Sequence, residues 1–245
     1  MIPSKPTPFR SAAKLRRKTK GEAMQDVEAT SGSYTYEFVK DPVRLTQTLK
    51  TLLWISLGLF AVSLISDGMQ LHLLLSGSIT KASAVANDAR QHLAAMLRLL
   101  ALLVTAITFL IWVHRANKNC NGFANNRLEF SPGWAVGYYF VPVVNLYMPY
   151  KAMKEIWRVS SDPAHWRSQS GSWLLVLWWM LWIVSNITGY VVAQLSLHAI
   201  TLVGLLTSTK ASILFDITNI LLYIAAIAVV VGIFARQQKL VGKNI

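Results

Sequence analysis

Residues 131–150 read Ser131-Pro-Gly-Trp-Ala-Val-Gly-Tyr-Tyr-Phe-Val-Pro-Val-Val-Asn-Leu-Tyr-Met-Pro-Tyr150. The stretch has no charged residue and is long enough to cross a bilayer, yet Pro142 and Pro149 interrupt any helix through it. Proline removes a backbone donor and clashes with the preceding turn, so a straight, lipid-exposed span is unfavourable here. Its aromatic residues (Trp134, Tyr138, Tyr139, Phe140, Tyr147, Tyr150) suit the level of the lipid headgroups. Whether this segment crosses decides the number of spans and the side on which everything after it lies.

On either side lie four uninterrupted apolar stretches, 49–66, 93–113, 173–195 and 213–235. At about 1.5 Å per residue, 18 residues cover about 27 Å and 20 cover about 30 Å, the thickness of the hydrocarbon layer. A buried helix of a soluble core does not stay apolar over such lengths four times in one chain. The positive-inside rule then places 131–150. With four spans, twenty of the 24 Lys and Arg share one side; the other four are Lys81, Arg90, Arg98 and Lys210. A fifth span would move Lys151, Lys154, Arg158, Arg167 and the basic C-terminus to the opposite side. The expectation is therefore an all-α integral membrane protein with four transmembrane helices, both termini cytoplasmic, and a Pro-broken interfacial or re-entrant segment between the second and third helices.

Composition agrees with this class. The chain has 245 residues, 53% of them apolar and 14% charged, a mean hydropathy of +0.40 and a formal net charge of +13. Soluble domains carry about 25% charged residues. Residues 1–41 form a separate region: seven basic and no acidic residues up to Lys20, then five acidic residues from Glu22 to Asp41, with no apolar periodicity. This reads as a disordered cytoplasmic tail that holds to anionic lipid. It is not expected to be a cleaved leader, because about thirty polar positions separate the basic run from the first apolar stretch. Residues 42–236 form the membrane domain, with Asp41-Pro42 starting its first helix and Asp67-Gly68 marking its exit. Residues 237–245 form a short cytoplasmic C-terminus.

Several residues stand out against this background. Arg115 lies one turn beyond Trp112 at the end of the second span, and Glu155 and Arg158 follow the broken segment on the same side. An Arg115–Glu155 pair would pin that segment to the second span; Arg115 snorkelling to lipid phosphates is the alternative. Near the opposite end, Asp67, Arg98, Asp216 and Asn219 lie at similar depth. Ionisable groups within a span cost about 2.5–3.5 kcal/mol each on insertion scales, so they face one another or water. Arg98 is expected to pair with Asp216 or Asp67. Asn186 and Gly189 suit a helix–helix contact, and Gly133-x-x-x-Gly137 is a weaker signal of the same kind.

The string Phe109-Leu-Ile-Trp112-Val-His-Arg115 leads into Phe130-Ser-Pro-Gly-Trp-Ala-Val-Gly, then Pro142-Val-Val-Asn145-Leu-Tyr-Met-Pro149, then Glu155-Ile-Trp157-Arg158. This order resembles the bacterial DUF4328 family of membrane proteins. The motif covers Phe109 to Ser160, and the helix pattern extends it to about residues 50–235. The resemblance implies a multi-span bacterial membrane protein and supplies no activity; the expected location is the bacterial inner membrane.

No chemistry-bearing motif appears. The histidines (His72, His92, His114, His165, His198) form no i,i+4 pair, Cys120 is alone, and no Walker loop, G-x-S-x-G or H-E-x-x-H occurs. No metal, cofactor or catalytic residue is expected. The basic tail lacks the base-stacking aromatics of a nucleic-acid binder, which leaves the lipid bilayer as the expected partner. The functional expectation is a non-catalytic scaffold, regulator or lipid-contacting module. The alternative is a small transporter or channel using 131–150 and the Arg98/Asp67/Asp216 cluster.

Overall fold

The computed structural model describes residues 36–77 and 79–242. The chain divides into two units, Met1–Tyr36 with Asn244–Ile245, and Glu37–Lys243. The second is described here; the basic run between Lys5 and Lys20 and the end of the C-terminal tail lie outside the described residues.

Four long helices carry the fold: α1 (Val43–Leu75), α2 (Lys81–Phe123), α5 (Trp173–Leu197) and α6 (Leu202–Gly242). All four are long and apolar enough to cross a membrane. Between α2 and α5 lie α3 (Pro132–Gly137), two 3₁₀ turns (Tyr138–Phe140 and Val144–Leu146), α4 (Met148–Ser161) and a third 3₁₀ turn (Trp166–Ser168). Among the described residues there is no strand. The segment 131–150 is no span-length helix, in keeping with its prolines.

Three of the four helices outrun the apolar stretches that announced them. With 33, 43 and 41 residues, α1, α2 and α6 are about 50–65 Å long, well beyond the hydrocarbon thickness. Asp67-Gly68 does not end α1. Asp67 is buried against α2, where Gln91 Nε2 donates to its Oδ1 (3.0 Å), and the helix runs on to Leu75. At the other end the helix starts at Val43 with Pro42, not Asp41, at the N-cap position, and the Asp41 carboxylate just before it accepts the Val43 N–H (2.8 Å). A capping box formed by Thr80 and Ser83 starts α2 twelve residues ahead of its apolar part.

The helices form an open row, with α2 packed on α1, α1 on α6, and α6 on α5. The most apolar window of α6 is 44% buried and that of α2 only 6%, so α6 is central and α2 peripheral. Hydroxyl and amide side chains join neighbours at mid-depth: Ser56 with Thr105 (3.1 Å) between α1 and α2, and Ser185 Oγ donating to Asn219 Oδ1 (2.9 Å) between α5 and α6. Such bonds contribute about 0.6 kcal/mol each within a membrane. Phe60 packs on Phe215 and Tyr223 across α1 and α6.

The start of α1, the end of α2, the start of α5 and the end of α6 share one end, here called the basic end. Trp112 Nε1 donates to Thr46 Oγ1 (3.0 Å), and Gln237 Nε2 donates to the Ala116 carbonyl (3.3 Å). Amphipathic α4 lies among α2, α5 and α6 at this end. It buries Ala152, Met153, Ile156, Trp157, Val159 and Ser160 at helical spacing and leaves Lys151, Lys154 and Arg158 half-exposed.

Candidate functional site

The residues singled out by sequence fall into three groups: a wedge with its clamp at the basic end, a cavity beyond the wedge, and a polar cluster near the far end.

The wedge is 131–147. Ser131 caps α3 (3.4 Å to the Trp134 N–H), with Pro132 at its first position. Beyond the Tyr138–Phe140 turn the chain reverses sharply at Pro142-Val143-Val144. The Val144 N–H donates to the Pro142 carbonyl (2.7 Å) across Val143, which has φ 66° and ψ −48°. This is the γ-turn with a positive central φ, a rare and strained form, held here by a β-branched residue. Asn145 is half-buried and its N–H donates to the Val141 carbonyl (2.9 Å); Pro149 is buried at the first turn of α4. Trp179 Nε1 ties the wedge to α5 through the Leu146 carbonyl (2.9 Å).

Glu155 holds the entry to the wedge. Its side chain is buried, and its two carboxylate oxygens accept the consecutive N–H groups of Glu129 (2.6 Å) and Phe130 (3.2 Å). Burial raises its pKa above the ordinary glutamate value, against the lowering effect of these donors. The Arg115–Glu155 pair does not form, because the carboxylate is engaged by backbone and Arg115 Nη1 turns to the Asp41 carbonyl (2.9 Å). Trp157 lies against the Arg236 guanidinium, 3.8 Å from its ring centroid, and Arg158 has a buried Nε without a hydrogen-bond partner among the described residues. Cys120 is fully buried, with its thiol in a knot with Ser160 Oγ (3.5 Å) and Gln237 Nε2 (3.3 Å) that joins α2, α4 and α6.

Beyond the wedge, α2 and α5 share no packed helix–helix interface; they meet at the basic end through the rings of Phe109 and Trp178 (6.0 Å). Tyr139 lies edge-on to both Phe109 and Trp179 (6.3 and 6.5 Å). Inward of these rings lies a cavity of about 490 Å³, bounded by Phe60, Phe109, Tyr139, Trp178, Trp182 and Phe215. Asn219 and Ser185 line it, and Asn186 also does so, although its Nδ2 donates to its own helix at the Trp182 carbonyl (2.7 Å) rather than to a neighbour. Gly189 does serve a helix contact: a Cβ there would lie 3.0 Å from the Phe215 ring.

Near the far end, Arg98 Nη1 pairs with Asp216 Oδ1 at 2.7 Å. Of the two partners the sequence allowed, the structure selects Asp216, and Asp67 takes Gln91. The two carboxyls also lie within reach of each other. The Oδ2 atoms of both are buried without a donor among the described residues. Outward of this cluster the network continues: Arg90 to Ser66 (2.9 Å) and Asn87 (2.6 Å), Asn87 to Gln70 (3.3 Å), and Gln70 to Thr209 (2.8 Å). It joins α1, α2 and α6. Asn219 does not take part, its side chain turning to Ser185 and its own helix.

The Trp112–Arg115, Ser131–Gly137, Pro142–Pro149 and Glu155–Arg158 motifs all gather around one wedge and its clamp. The pattern of the domain of unknown function DUF4328 matches residues 76–235. The chain belongs to the DUF4328 family. The matched residues run from the turn after α1 to the last turns of α6, so this DUF4328 domain holds the wedge, α4 and most of the cavity wall. No curated protein and no solved structure matches the chain.

Sequence reasoning about this DUF4328 chain missed α4 as an element, and with it Met153, Ile156, Ser160 and Gln237. The signal was present: apolar residues at 152, 153, 156, 157 and 159 with basic ones at 151, 154 and 158 have helical spacing. It missed Tyr139 as a cavity residue, since an aromatic in an aromatic-rich segment carries no mark of which neighbour it faces.

Proposed function

We propose that this chain is a non-catalytic, lipid-contacting module of the bacterial cytoplasmic membrane, with both termini on the cytoplasmic side. One observation carries this reading: an amphipathic helix, α4, lies at the basic end with its apolar face buried and Lys151, Lys154 and Arg158 half-exposed. Lys151 lies over the Tyr147 ring (4.5 Å) and Lys154 over the Tyr150 ring (6.0 Å), while Arg167 lies over Trp166 (4.6 Å) and Arg236 over Trp157 (3.8 Å). A basic and aromatic ring of this kind suits the anionic inner leaflet, where each Lys or Arg near the surface contributes about 1 kcal/mol. The basic residues before Lys20 would add to the same attraction.

The test is thermal unfolding of the reconstituted chain in bilayers with and without phosphatidylglycerol. Phosphatidylglycerol is expected to raise the Tm of the wild type and to raise it less when Lys151, Lys154 and Arg158 are all changed to Gln. An equal rise in both sinks the proposal. Deleting residues 2–20 is expected to lower the anionic-lipid effect further without preventing insertion.

A second reading, a small transporter or channel, is favoured by the buried Arg98–Asp216 pair beside Asp67. A liposome flux assay comparing the wild type with Asp216→Asn tests it: flux lost in the variant supports transport, and equal flux in both removes this site from it.

A further inference from the structure

Asp67 of α1 and Asp216 of α6 face each other where these two helices meet α2. Each carboxyl has one oxygen accounted for: Gln91 Nε2 donates to Asp67 Oδ1 (3.0 Å) and Arg98 Nη1 to Asp216 Oδ1 (2.7 Å). The other oxygen of each, Oδ2, is buried and receives no donor among the described residues. The two side chains are within hydrogen-bonding reach of each other, yet a pair of ionised carboxylates has no hydrogen to place between them. Ser63 Oγ, aimed at Asp216 from one turn before Asp67, is fully buried and also lacks a partner among the described residues. Its one hydroxyl hydrogen can serve at most one Oδ2, which leaves the other with none.

Charge points the same way. Among the described residues Arg98 is the one cation in an ion pair with either carboxyl. Arg90, the other cation nearby, is half-exposed and gives its donors to Ser66 (2.9 Å) and Asn87 (2.6 Å). Two ionised carboxylates against one paired cation would leave a surplus negative charge within an apolar layer, where every ionised group is costly. Carboxyls in contact relieve such a surplus by keeping one proton between them. Burial also selects the ligand. Oxygens with this little accessible surface admit neither a water nor a metal ion, whereas a hydrogen needs only the gap between two of them.

We propose that Asp67 and Asp216 form a protonation site, holding one proton between their Oδ2 atoms while Arg98 balances the remaining charge. An O–H bond forms on one Oδ2 and that hydroxyl donates to the other; no other bond changes. The site requires neither lipid contact nor flux, so its test is separate from both readings above. Infrared spectra of the purified full chain are recorded at neutral pH in a detergent without ester or carboxyl groups. The wild type is expected to show the carbonyl stretch of a protonated carboxyl, moving to lower frequency in heavy water. Subtracting the spectrum of Asp67→Asn, or of Asp216→Asn, from that of the wild type cancels Glu155 and the other carboxyls. The band is expected in both differences, because the proton is shared and either remaining carboxylate stays ionised beside Arg98. The double variant is expected to lose no more intensity than either single one. A band absent from either difference overturns the proposal, since then no proton is held or one carboxyl holds it alone. Twice the loss in the double variant means two independent protons and also overturns it. If a substituted chain does not fold, isotope-labelled aspartate in the wild type decides: the band shifts when an aspartate holds the proton, and an unshifted band overturns the site. Among the other described aspartates, Asp41 and Asp88 are exposed and Asp162 is half-exposed, so the shifted band belongs to the buried pair.

Discussion

Val143 stands in a conformation that branched side chains avoid, with 79% of its surface exposed, so packing does not explain its identity. The strain costs about 1–3 kcal/mol, whereas a glycine costs about 0.5–1 kcal/mol in backbone entropy. Val143→Gly is therefore expected to leave the melting temperature unchanged or raise it, opposite to the usual valine-to-glycine loss; a clear drop in the same detergent would contradict the strained turn. Glu155 makes a pH prediction. Burial raises its pKa in the folded state above the ordinary 4.5, so the folded chain holds the proton more tightly than the unfolded one. The contribution of this group to stability is fullest below pH 4.5 and is lost as pH rises through the folded-state value. Relative to Glu155→Gln, which does not titrate, the wild type is expected to lose stability as pH increases from 4.5; the opposite trend in unfolding measurements would refute the burial argument. Arg98 keeps 21% of its side chain exposed while Asp216 keeps none. Arg98→Met is expected to cost about 3 kcal/mol, the low end for breaking a buried pair, and adding Asp216→Asn should recover most of it in a double-mutant cycle.

Among the elements, α4 is the one most dependent on its neighbours. Gly232 lets α6 approach it, since a Cβ there would lie 3.2 Å from the Trp157 ring and 3.2 Å from Arg236 Nη1. Gly232→Ala must displace both or separate the helices, and a loss of about 1–3 kcal/mol is expected, as for overpacking elsewhere. Intrinsic helix propensity predicts the reverse, a gain of about 0.8–1 kcal/mol, so the sign of the change in unfolding free energy decides between them. The four long helices were legible from their apolar runs. Their ends were not: Asp67-Gly68 reads as an exit until Gln91, 24 residues away, supplies the amide that lets Asp67 be buried. The basic and apolar residues of α4 had the right period, yet in the linear chain they read as a polar loop between two spans.

For the whole molecule, the open row of helices matters most. It leaves α2 and α5 apart and creates the cavity, and the wedge closes that cavity at the basic end. Reporter fusions near residue 162, near residue 78 and at the C-terminus test the arrangement. The first and last are expected on the cytoplasmic side and the middle one outside; outward signals at both 162 and the C-terminus would reverse the orientation. The class and the number of span-length helices follow from the chain alone, because hydropathy over about 20 residues is a local property that a bilayer reads directly. Which carboxylate Arg98 would take, that Glu155 would clamp backbone rather than Arg115, and where Tyr139 would point were decided only by tertiary packing. Each of those contacts joins residues 25 or more positions apart, and the choice among chemically equivalent partners depends on how the helices rotate and cross.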